Sequence, residues 1–86
     1  MKVAVFDTYV KRKAGGYLHF DIIVSDETPF EEVLEFGNDY LTSRKESGLM
    51  VAHKDCRFCH FTEIIPRWEH QIAQKGYYIH ELEGCH

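Results

Sequence analysis

The first 25 residues divide into two apolar runs around a polar turn. Val3 to Val10 mixes β-branched and aromatic residues and reads as a strand, interrupted in its second half by Asp7 and Thr8. The segment "KRKAGG" follows, with Gly15 and Gly16 free to take positive backbone dihedrals. Leu18, Phe20, Ile22 and Val24 then alternate with His19, Asp21 and Ile23, a period-two pattern with one mostly apolar face. Together the two runs predict a β-hairpin.

Helical spacing takes over at Thr28-Pro29-Phe30-Glu31. Thr28 suits an N-cap, Pro29 the first helical position and Glu31 a capping box. Phe30, Val33, Leu34, Gly37 and Leu41 share one face of this helix, and Arg44 and Lys45 suit the negative end of its dipole. Gly48 closes the connection, and Leu49 to His53 reads as a short strand feeding "DCRFCH". A second helix is expected from Thr62 to Lys75, with Pro66 in its first turn, Ile65, Trp68 and Ile72 on one face, and Gly76 as its stop. Tyr77 to Leu82 reads as the last strand. The order is ββαβαβ, an α+β chain whose residues 1–86 form a single domain, with a four-stranded mixed sheet and two helices packed on it.

Strands joined through a helix normally run parallel within a sheet. On that rule the third and fourth strands point the same way, so Cys56, Cys59 and His60 emerge at the sheet end where Cys85 and His86 emerge, with the Lys11 to Gly16 turn at the opposite end. The convergence requires those strands to be close neighbours, since each intervening strand adds about 4.8 Å.

Composition narrows the function classes. With 44% hydrophobic and 28% charged residues the chain is a folding one. An 86-residue domain buries only about 60% of its unfolded surface, so self-association as a homodimer would add stability. A net charge of -4 argues against a nucleic-acid partner, and Lys11-Arg12-Lys13 fits a solvated turn tip. No run approaches a membrane span or an export signal, which points to the cytoplasm, where thiols stay reduced.

Cys56-x-x-Cys59-His60 has four readings. Zinc can be held by Cys56, Cys59, His60 and Cys85, with His53 or His86 in reserve. Against it, the second half is a lone cysteine, and His60 stands where a tight metal-binding turn would favour glycine. A redox pair would draw a lowered thiol pKa from a following helix N-terminus and Arg57, though Asp55 opposes this. Haem attachment matches the pattern literally, but haem is disfavoured without an export signal. The fourth reading makes the cysteines small packing groups beside Phe58. A second constellation is Asp7, Thr8, His19 and Asp21, because acidic residues are disfavoured in strands. Asp7, His19 and Asp21 share parity and fall on one face if odd positions oppose one another. A carboxylate beside histidine can do acid–base work, and the alternative is a solvated face or an Asp bonded to turn amides. No nucleophilic serine motif or phosphate-binding glycine loop is present.

Five segments, Asp7-Thr8-Tyr9-Val10, His19-Phe20-Asp21, Cys56-Arg57-Phe58-Cys59-His60, Gly76-Tyr77 and Glu83-Gly84-Cys85, occur in an order that resembles the small bacterial family DUF2024 over the full length. The resemblance implies a compact α/β fold of four strands with helices and no assigned activity. On the residues themselves, metal binding in a structural or regulatory role leads, with thiol redox chemistry and a homodimeric interaction module as alternatives.

Overall fold

The computed structural model describes residues 1–44 and 48–83. Strands β1 (Lys2–Lys11) and β2 (Tyr17–Ser25) form the expected hairpin, paired from Val3 with Ser25 to Lys11 with Tyr17. Gly15 and Gly16 take φ of 104° and 74° in the turn, which Arg12 closes by donating its N–H to the Gly16 carbonyl at 2.9 Å. The register sorts side chains by parity. Even positions make the larger core, where Leu18, Phe20, Ile22 and Val24 are wholly buried.

Helix α1 (Phe30–Ser43) covers that face with Val33, Leu34, Gly37 and Leu41. Pro29 is its N-cap and no side chain caps it, so the capping box expected from Thr28 and Glu31 does not form; Arg44 is the C-cap, and Lys45 lies outside the described residues. Burying a side chain such as Phe20 or Leu18 stabilises the fold by about 1.5–3 kcal/mol.

The Leu49 to His53 strand is not there. Val51 instead buries in the α1 core on an irregular segment, and His53–Asp55 form one 3-10 turn in which Asp55 Oδ2 accepts the Ala52 N–H at 2.9 Å. Strand β3 (Cys56–Glu63) starts at the cysteine motif and takes up Thr62 and Glu63, so helix α2 spans only Pro66–Lys75. Pro66 opens it, and Gly76 ends it at φ 93° in the left-handed region, as the sequence indicated. Strand β4 (Tyr77–Glu81) follows.

The strand order is β3-β1-β2-β4, and every pairing is antiparallel, which corrects the expectation of a mixed sheet within the α+β class. Strands β2 and β3, joined through α1, do run parallel, with β1 between them. The α2 crossover departs from the rule. Its ten residues span about 15 Å, close to the roughly 14 Å across three inter-strand gaps. It therefore crosses the sheet from edge to edge instead of returning along the strands. Glu63 pairs with Lys2 and Tyr77 with Val24, so the chain enters and leaves α2 at the same sheet end.

This transverse helix packs Ile72 and Trp68 over Val3, Val5, Ile23 and Tyr78 on the odd face. Among the described residues, no helix covers the other half of that face.

Candidate functional site

The open half holds one continuous polar row. Arg57 of β3 pairs with Asp7 of β1, Asp7 with Asp21 of β2, and Asp21 with His80 of β4. Odd parity thus puts Asp7, His19 and Asp21 on one face, the arrangement the hairpin register had to supply. One ligand atom from each lies within 4.8 Å of the others. His19 is held from several sides: its Nε2 is 3.7 Å from Asp7 Oδ1, its ring stacks on Tyr9 at 3.9 Å, and its backbone bonds Leu82 and Glu83 beyond β4.

Two carboxylates directly opposed across antiparallel strands repel, so their protons redistribute. Burial, the hydrogen bond with Asp7 and the Asp7 charge raise the Asp21 carboxyl to about 7. Asp7 is lowered, chiefly by its hydrogen bond from Asp21 and further by His19. The pair shares one proton near neutrality. Asp21 Oδ1 is buried without a hydrogen-bond partner among the described residues.

The cysteine motif is divided by the sheet. Cys56, 3% exposed, belongs to the even-face core, where its sulfur accepts the hydroxyl of fully buried Thr8 at 3.5 Å. Between Val5 and Phe6 the β1–β3 register shifts, and Cys59 is the extra residue of that bulge. It is exposed, interacts with Asp7, and lies 3.1 Å from His60 Nδ1. The sulfurs of Cys56 and Cys59 therefore serve opposite faces.

Both thiols are raised, not lowered: Cys56 by burial, and Cys59 by desolvation and then the charges of Asp7 and Asp21. No helix follows the motif directly, which removes the dipole expected for a redox pair. Haem attachment would need both thiols on one side. Cys85 and His86 lie outside the described residues. The last strand does end level with Cys56, since Glu81 pairs with Phe20 and Phe20 with Thr8, the partner of Cys56. It does so on the opposite sheet edge, about 14 Å away. The Lys11 to Gly16 turn sits at this same end, contrary to expectation. Among the described residues the gathered ligand set is Asp7, His19 and Asp21, not Cys56, Cys59 and His60.

Sequence reading missed Arg57 and His80 as members of the row. His80 shares the sheet face of Asp21 although its number is even, because β4 pairs with β2 in that register, and strand order alone makes the two neighbours. The bulge hides Arg57 and Cys59, because it breaks the alternation that would have placed them.

A family model described as a domain of unknown function, DUF2024, matches residues 1–82. The NMR structure of protein NE1680 from Nitrosomonas europaea is similar over 100% of both chains, with 38% identity and a TM-score of 0.86. No curated protein matches.

Proposed function

The chain belongs to the DUF2024 family, and we propose that it binds a divalent transition metal, zinc best matching the donors, through Asp7, His19 and Asp21. The carrying observation is a histidine and two opposed carboxylates with ligand atoms mutually within 4.8 Å. Such a pair is unfavourable unless a proton or cation lies between. Bonds of about 2.0–2.2 Å need ligand atoms about 3.3–3.6 Å apart in a tetrahedron. Binding would therefore require the side chains to draw together from the present spread of up to 4.8 Å. Bound there, the ion would tie β1 to β2, and three protein ligands would leave a fourth position for water. Asp7, His19 and Asp21 take the role first expected of Cys56, Cys59, His60 and Cys85.

The test is elemental analysis after dialysis against zinc, on protein purified without chelators or a metal column. About one equivalent is expected in the wild type, falling below about a tenth in Asp21→Asn and Asp7→Asn and unchanged in Cys56→Ser. A wild type below a tenth, or binding lost in Cys56→Ser and kept in Asp21→Asn, overturns the reading.

Self-association through β3 is a second reading. This open edge strand carries Phe58 and Phe61, 49% and 52% exposed, with ring centroids 4.7 Å apart. An antiparallel copy aligned Phe58 to Phe61 keeps even-face residues together and encloses four phenyl rings. Sedimentation at micromolar concentration decides it, a monomer ending the idea.

A further inference from the structure

Beyond the carboxylate pair, toward the hairpin turn, the odd face opens into a cleft of about 430 Å³ lined by Asp7, Tyr9, Tyr17, Lys54, Asp55 and Arg57. Its volume is in the range of small-molecule sites. Tyr17 is 56% exposed, and Tyr9, with one ring face stacked on His19, is still 49% exposed, so both present aromatic surface to the cleft. The charges in the cleft are unequally engaged. Asp55 accepts the Ala52 N–H, and Asp7 is turned to Asp21 and His19. Lys54 and Arg57 make no ion pair among the described residues, although both share the cleft with a carboxylate. Two cations are thus left to face a ligand.

We propose that this cleft binds a small anion carrying a planar ring, the ring lying against Tyr9 and Tyr17 and the anionic group meeting Arg57 and Lys54. Arg57 offers the planar fork that suits a carboxylate or a phosphate. The four groups come from β1, β2, β3 and the 3-10 turn, so the site exists only in the folded chain. It does not rest on a metal at Asp7 and Asp21, and metal-free protein tests it separately.

Chelator-treated, ¹⁵N-labelled protein is titrated with adenosine 5′-monophosphate as the phosphate arm and 4-hydroxybenzoate as the carboxylate arm. Adenosine and inorganic phosphate serve as partial ligands. Saturable amide shifts at Tyr9, Tyr17, Lys54 and Arg57 are expected for at least one arm, with Kd below about 1 mM. The arm that saturates identifies the anion. Arg57→Gln and Lys54→Gln each weaken that binding about tenfold while the rest of the spectrum stays in place. Tyr17→Ser weakens the ring-bearing ligand and leaves inorganic phosphate unaffected. No saturation in either arm overturns the site, as does affinity untouched by Arg57→Gln. Adenosine binding as well as its monophosphate, or phosphate binding as well as the nucleotide, also overturns it.

Discussion

Asp7 and Asp21 are direct register partners across β1 and β2, in a row continued by Arg57 on one side and His80 on the other. Like charges placed face to face cost stability in an antiparallel pair, and the cost here is lowered by a shared proton. That makes the pair a pH-dependent weakness in the metal-free protein and, on the proposed function, the place where a cation would bind.

The linkage has a definite sign. Asp21 is raised from 3.8 to about 7 in the folded chain, so the unfolded state ionises first as pH rises. Metal-free stability should therefore fall between about pH 4 and 7 and level off above. Asp7, lowered, contributes stability above its unfolded pKa that is lost on acidification. Urea unfolding across this range checks the sign, and Asp21→Asn should flatten the decline. An equal slope in wild type and variant refutes the shared proton.

Thiol accessibility should be split by the sheet. Brief alkylation of native protein, followed by peptide mass mapping, should modify Cys59 and spare Cys56 until the chain is unfolded, since Cys56 is 3% exposed. Both thiols are raised, so Cys59 should react faster as pH rises toward and above about 9. A native Cys56–Cys59 disulfide under mild oxidant would show that the two faces exchange.

Gly76→Ala should cost about 1–2 kcal/mol in the left-handed conformation alone. A Cβ there would also meet the Phe36 ring at 2.8 Å, and that ring stacks on Tyr77 at 4.7 Å. The ring must move to accept it, disturbing the contact between α1 and β4. Thermal unfolding measures the loss, and an unchanged midpoint contradicts it.

Tyr77 donates its hydroxyl to Asp39 at 3.0 Å, and burial with that carboxylate raises its phenol to about 12. Tyr77→Phe should lower stability by about 1 kcal/mol at neutral pH. Because the folded pKa is raised, the wild-type contribution should fade above about pH 10, and the variant should lose less there. Parallel alkaline unfolding curves would show that the bond contributes nothing.

The hairpin was legible because Leu18 to Val24 alternates strictly and two glycines mark the turn. The stop at Gly76 was legible because it rests on one residue's backbone preference, whereas the helix expected from Thr62 starts at Pro66 because β3 takes up Thr62 and Glu63. Leu49 to Ala52 misled: its apolar run packs under α1 as irregular chain, since Val51 needs only to fill that core. Strand β3 was obscured by its position, an edge with a bulge at Cys59 and exposed phenylalanines, where burial imposes no alternation. The cysteine spacing suggested a chelating turn, yet in a strand residues three apart ordinarily face opposite ways.

The sequence by itself determined the hairpin, its even-numbered apolar face, the first helix and the shared parity of Asp7, His19 and Asp21, because these depend on backbone preference and on regular periodicity. Tertiary structure alone decided that Arg57 and His80 flank the carboxylates, that Cys56 and Cys59 part company, and that half of one sheet face stays open. Those depend on strand order. That order matches the reach of a ten-residue helix from one sheet edge to the other, an agreement of lengths that only the assembled fold displays.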